Sequence, residues 1–316
     1  MTFLKTQIAP LFLLFTIFSC NSIEEETPNW SKIDLATSSD LSAITICNDG
    51  AIHIVGGDLW YSGVYVFSPF GESWSVETIL NKQLIAIDQD QTGNLYATGV
   101  DGYRLNKSCE NNWQIEQPLK WGFMRDLDFE AKGNGILVGG EALTIGFMVR
   151  VSQDGSIEIT DWDRELSSIT SVSEEIYILT GYGFVSKSVD DGKTWVQSEI
   201  GGDFFVDCIF PTDKVGYIVG SYGTILKTTD QGESWEKVRN GYSLTVSDLP
   251  FNAIFFTDAN TGYVCGDGGL VIVTRDGGAS WSKFEGLPSI DFLDVAAIGN
   301  TIYVCGEEGT LLRIDE

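Results

Sequence analysis

From about residue 30 onward, short apolar runs alternate with polar stretches centred on glycine. Runs of this kind, rich in β-branched and aromatic residues and bounded by turn residues, predict strands joined by tight turns. The pattern repeats. Gly216-Tyr-Ile-Val-Gly220-Ser-Tyr-Gly223-Thr-Ile-Leu is echoed by Gly262-Tyr-Val-Cys-Gly266-Asp-Gly-Gly269-Leu-Val-Ile, and then by Tyr303-Val-Cys-Gly306-Glu-Glu-Gly309-Thr-Leu-Leu. Seven middle strands can be marked this way: Ala51–Gly56, Asn94–Gly99, Gly135–Gly140, Glu175–Gly181, Gly216–Gly220, Gly262–Gly266 and Thr301–Gly306. A period near 40 residues, with four short strands per unit, predicts an all-β fold, a seven-bladed β-propeller.

A second signature follows each of three middle strands. Ser188-Val-Asp190-Asp-Gly192-Lys-Thr194-Trp195, Thr228-Thr-Asp230-Gln-Gly232-Glu-Ser234-Trp235 and Thr274-Arg-Asp276-Gly-Gly278-Ala-Ser280-Trp281 align without gaps. Worn copies end at Trp74 and Trp113. Each full copy resembles the Asp-box, or bacterial neuraminidase repeat. In such a turn the hydroxyl and carboxylate bond backbone amides, glycine supplies a positive φ, and the tryptophan packs on the sheet. These residues are therefore read as structural. The last repeat stops at Glu316 without a box or an outer strand, while Trp30-Ser-Lys-Ile33 matches the segment after complete boxes, Trp281-Ser-Lys-Phe284. The N-terminal strand is expected to complete the last blade and close the ring, which removes an open sheet edge.

The first 30 residues read differently. Lys5 precedes an apolar run from Ile8 to Phe18, too short for a membrane span and of the length of a signal-peptide core. It ends in Ser19-Cys20, which resembles the lipobox of bacterial lipoproteins, with Cys20 as the lipidated residue. The expected organisation is a signal over 1–19, an acidic tether over 20–29 and one propeller over 30–316. Export to the bacterial outer membrane, on its periplasmic or surface side, would follow.

Composition narrows the chemistry. With 19 basic and 45 acidic residues the formal net charge is −26, which excludes phosphate-driven docking on nucleic acid. The single histidine, His53, lies on an alternating strand and reads as packing or surface. Cys265 and Cys305 hold equivalent positions, and with Cys208 they read as buried thiols, a bridge between the first two being the alternative. No cofactor or metal spacing is visible.

In a propeller the turns between second and third strands and the connections between blades share one face around the axis. On this chain they carry Asp58, Trp60 and Tyr61, then Trp121 and Phe123, then Asp161, Trp162 and Asp163, with Tyr182, Phe204, Tyr222, Tyr242 and Asp267 further on. Exposed aromatic residues on loops are common binding anchors, so this face is the candidate binding surface.

The combined signature, clearest over 205–316, resembles the photosystem II assembly and stability factor propellers. That resemblance implies a protein-binding scaffold, here a monomer with an envelope protein as partner and no catalysis. The family's arginine-rich patch has no counterpart, because the seven arginines (104, 125, 150, 164, 239, 275, 313) are scattered. Asp-box propellers also occur among sialidases and endoglucanases. A glycosidase would need two facing carboxylates, for which Asp58, Asp161, Asp163 and Asp267 are the candidates. A glycan-binding lipoprotein that stacks sugars on the aromatic face is the third reading.

Overall fold

The computed structural model describes residues 23–47, 49–108, 112–116, 120–129, 134–241 and 250–316. Cys20, the signal segment and Tyr242 lie outside the described residues. Every regular element described is a β-strand apart from a 3₁₀ turn at Asp267–Gly269. The chain begins with β1 (Glu24–Glu26) and β2 (Asn29–Lys32), whose partners come from the C-terminal part. The first complete sheet holds β3 (Asp40–Ile46), β4 (Ile52–Asp58), β5 (Ser62–Ser68) and β6 (Ser75–Leu80). The second holds β7 (Leu84–Gln89), β8 (Leu95–Gly99), β9 (Arg104–Lys107) and β10 (Gln114–Glu116), and the third β11 (Phe123–Phe129), β12 (Gly135–Glu141), β13 (Ile145–Val151) and β14 (Ile157–Trp162).

The fourth sheet corrects the expected blade count. It has six strands: β15 (Leu166–Ser173), β16 (Ile176–Ser188), β17 (Val196–Ile209), β18 (Gly216–Gly220), β19 (Ile225–Thr228) and β20 (Glu236–Arg239). Two sequence repeats fall inside it. Their connections, which elsewhere leave the sheet, stay in the ladder here. The short turn at Gly183 and the segment through Gly201 and Gly202 all take positive φ, and Tyr182 pairs with Phe204 across them. β17 thereby serves both repeats. Among the described residues the propeller has six hydrogen-bonded sheets, the fourth of six strands, in place of seven separate blades.

The fifth sheet contains β21 (Phe251–Phe256), β22 (Gly262–Gly266), β23 (Leu270–Thr274) and β24 (Ser282–Phe284), and the sixth β25 (Phe292–Ile298), β26 (Thr301–Gly306) and β27 (Thr310–Asp315). β2 pairs antiparallel with β27, from Asn29 opposite Asp315 to Lys32 opposite Leu312, so the ends of the chain do meet in one sheet. β1, which lies in the acidic stretch read as a tether, pairs parallel with β24 and makes a fifth strand there. The Arg275 guanidinium holds it, bonding both Glu26 oxygens at 2.9 and 3.0 Å and Glu316 at 2.6 Å. Ile23 packs beside Trp281 in the core between the fourth and fifth sheets.

The core lies between the sheets. Six apolar clusters mix residues of neighbouring sheets, as where Ile302 and Leu312 of the sixth sheet meet Val271 and Val273 of the fifth, and one lies between the two repeats of the fourth sheet. Tyr217 and Tyr263, from the Gly-Tyr signature, are fully buried, and the Tyr217 hydroxyl donates to the Gly277 carbonyl at 2.6 Å. Residues 23–33 cover the outer edges of two sheets at once. Deleting them is expected to lower the melting temperature by at least about 5 °C, or to yield insoluble protein, since a lost strand costs several kcal/mol. An unchanged melting temperature would contradict this closure.

Candidate functional site

Antiparallel order puts the turns between second and third strands, together with the inter-sheet connections, at one end of the wheel. The Asp-box hairpins lie at the other. Their geometry is the one expected. The Thr228 hydroxyl accepts from the amides of Asp230 (3.3 Å) and Gly232 (3.0 Å), and Asp230 accepts from the amide (2.9 Å) and hydroxyl (2.6 Å) of Ser234. The same set recurs at Ser188, Asp190 and Thr194, and at Thr274, Asp276 and Ser280. Ser234's hydroxyl and amide hold Asp230 down to about 2, and Thr194's do the same for Asp190. Gly232 has φ +79°, and a Cβ there would come within 2.6 Å of Ile178 on the preceding repeat. Trp235 meets Phe210 edge-on at 5.9 Å and Trp281 meets Phe256 likewise at 6.3 Å. Gly192, Trp195 and Gly278 repeat these roles, Trp195 donating its indole N–H to Gly192.

At the loop end the structure gathers part of the expected set. Trp60 is 47% exposed and its ring meets Phe123 at 6.3 Å, joining the first sheet to the start of the third. Tyr61 and Trp121, at 82% and 67% exposed, flank that pair in sequence. Cations not singled out from the sequence support the aromatic cluster. Lys82 Nζ lies 4.5 Å from the Trp60 ring while paired to Asp101, and the Arg125 guanidinium lies 5.1 Å from Phe123. Arg125 also bonds the buried Glu165 at 2.8 Å, and Glu165 accepts from the Leu143 amide at 2.9 Å. Cation–π contacts of this kind contribute about 0.5–1 kcal/mol each where exposed, and here they fix ring orientation.

Other expected residues stand apart. Trp162 is only half-exposed and packs on Phe184 and Trp195, so it belongs to a sheet junction and not to the open face. Tyr182 and Tyr222 are each 46% exposed on later turns, and Phe204 pairs with Tyr182 in the ladder. Buried Asp203 sets the Tyr222 turn by accepting from the amides of Tyr222 (2.9 Å) and Thr224 (3.1 Å). Burial raises its carboxyl. Asp58 accepts from Ser39 and Ser62, Asp267 from Asn252, and Asp161 pairs with Lys120. These acids lie on three different sheets. The rim of the fifth and sixth sheets is acidic instead: desolvation and the neighbours Asp291, Asp40, Glu308 and Asp267 all raise the Glu307 carboxyl.

His53 is buried, its Nδ1 2.7 Å from the Tyr65 hydroxyl, and burial pushes it down to about 4. Cys47, Cys208, Cys265 and Cys305 are buried free thiols, so the Cys265–Cys305 bridge is not formed. Among the described residues no group of three or more histidine, cysteine or acidic side chains converges to hold a metal.

Residues 202–301 match the family model described as photosynthesis system II assembly factor YCF48. No curated protein matches the chain. Among solved structures, "YCF48 bound to D1 peptide" is 16% identical at a TM-score of 0.72, covering 93% of this chain and 100% of that one. YCF48 from Cyanidioschyzon merolae is 15% identical at a TM-score of 0.68, covering 90% and 98%. Virginiamycin B lyase from Staphylococcus aureus is 11% identical at 0.74, covering 91% and 99%.

Replacing the buried Thr228 with valine leaves the Gly232 amide without its acceptor in a buried turn. A loss of about 1–3 kcal/mol is expected in urea unfolding, and an unchanged midpoint would contradict the structural role. The Asp230 carboxylate favours the fold above the unfolded value near 4, and this is lost as pH falls towards 2. Asp230→Asn should flatten that part of the acid-unfolding curve. Over residues 202–301 the sequence resembles the photosystem II assembly-factor family, and over most of the described chain the fold is that of a propeller.

Proposed function

We propose that this chain is a non-catalytic scaffold of the bacterial envelope, held to the membrane through a lipid on Cys20, that docks a protein partner on its loop face. The observation that carries the reading is the exposed Trp60 packed on Phe123, flanked in sequence by the exposed Tyr61 and Trp121. Large rings left in water on one face of a folded protein mark an interaction site, and tryptophan and tyrosine are the usual anchors. The ion pairs and cation–π contacts beneath them hold the loops before any partner arrives, which reduces the ordering cost of binding. A related fold with a peptide bound, and a family match to assembly factors, support a protein as the partner. The membrane anchor rests on the Ser19-Cys20 pattern of the sequence.

The test is photo-crosslinking in cells, with the reactive group at Tyr61 or Trp121 and, as a control, at Thr194 on the Asp-box end. A single stoichiometric protein adduct from the first two positions only is expected. Trp60→Ala should weaken capture at least about tenfold with an unchanged melting temperature. Equal adducts from both ends, or recovery of polysaccharide alone, would overturn the proposal. Metabolic labelling with an alkyne fatty acid should mark the wild type and not Cys20→Ala; an unlabelled wild type would remove the anchor.

A further inference from the structure

Three aspartates on the inner strands share a position and a task. Asp126 in β11, Asp207 in the last part of β17 and Asp294 in β25 each follow a shift in strand register. Each carboxylate accepts two backbone bonds, one from the next residue and one from the neighbouring inner strand. Asp126 takes Leu127 (2.8 Å) and Ile169 (2.9 Å), and Asp207 takes Cys208 (2.7 Å) and Ile254 (2.8 Å). Asp294 takes Val295 (2.7 Å) and Ile44 (2.8 Å), the second bond joining the last sheet to the first. All three line one axial cavity of 210 Å³.

Each of the three is partly exposed to that cavity and enclosed by protein elsewhere. Desolvation pushes Asp126 up to about 8 and Asp207 and Asp294 to about 7. The three also act on each other: Asp207 raises Asp126, Asp294 raises Asp207, and Asp126 raises Asp294. Arg125 lines the same cavity, but its charge is directed to Glu165. Asp88 and Asp128 stand one pleat further along the second and third inner strands and are raised by the same burial. The thiols of Cys208, Cys265 and Cys305 lie behind the triad and are pushed further from ionisation by it.

We propose that Asp126, Asp207 and Asp294 form a proton-operated clasp on the propeller axis. Protonated, they bridge neighbouring inner strands without placing charge in the channel. As pH rises through neutrality they ionise around one cavity; the amide bonds favour each carboxylate, but burial and mutual repulsion outweigh them, and the ring loses stability. The clasp is independent of what the loop face binds.

The sign follows from linkage. Groups raised in the fold contribute stability that is complete below the unfolded value near 4 and is lost as pH rises through 7 to 8. His53 works in the opposite sense, its contribution being present above 6.5 and lost towards 4. Variants must therefore be compared by slope and not by stability at one pH.

Thermal unfolding of the wild type and of Asp126→Asn, Asp207→Asn and Asp294→Asn between pH 5.5 and 8.5 tests the clasp. The wild-type melting temperature should fall with rising pH, and each substitution should reduce that slope. An asparagine keeps one acceptor oxygen, so some loss of stability at every pH is expected. Should a variant fail to fold, carbon NMR titration of the wild-type carboxyls reads the same quantity. At least three resonances, those of the triad among them, should titrate at least about two pH units above the ordinary value near 4. Slopes unchanged by all three substitutions, or no carboxyl titrating above pH 6, would overturn the proposal.

Discussion

Adjacent sheets of this wheel must hold one another near the axis without a continuous backbone ladder, and short polar side chains on the inner strands meet that requirement. Asp88 accepts from Phe129 across the junction of the second and third sheets, Asp126 from Ile169 at the next, and Asp207 from Ile254 beyond it. Where no aspartate stands, an amide does the same work in reverse, Asn252 donating to the Phe292 carbonyl at 2.9 Å. Asp294 closes the circle onto Ile44. An unpaired backbone amide in such a place would cost about 1–3 kcal/mol. The loop face sits on the ends of these strands, so its geometry depends on these bonds.

The same residue type does opposite electrostatic work at two places. Asp230 lies in a solvated turn, where hydroxyl and amide donors favour the carboxylate and hold it low. Asp126 also receives backbone donors, but desolvation outweighs them and its carboxyl rises. Donor count alone does not set the direction. Position does: the Asp-box turn stabilises the charge and the axis resists it.

Much of this was legible in the sequence, and the limits have physical causes. The three Asp-boxes and the Gly-Tyr strands could be read because tight turns and full burial restrict residue choice. Glycines 201 and 202 were also visible, but not that they would keep β17 in a continuous ladder, which depends on Tyr182 pairing with Phe204. The loop face was legible as a list of rings. Its grouping was not: Trp60 and Phe123 meet across two sheets, whereas Trp162 turns inward onto Phe184. The places of Lys82 and Arg125 beside those rings were not legible, because scattered cations carry no local signature. The axial aspartates did carry one, an apolar residue two positions earlier as in Phe205-Val-Asp207 and Phe292-Leu-Asp294, overshadowed by the stronger motif downstream.

The central claim is that side chains on the inner strands hold the wheel together and so fix its loop face. Hydrogen exchange resolved by residue in the free protein tests it most directly. The amides of Ile44, Ile169 and Ile254, each bonded to an aspartate of another inner strand, should exchange only by global opening, orders of magnitude more slowly than those of the outer strands. If they exchange as fast as the amides of β10 or β14, the inner strands are not the framework and the account is wrong.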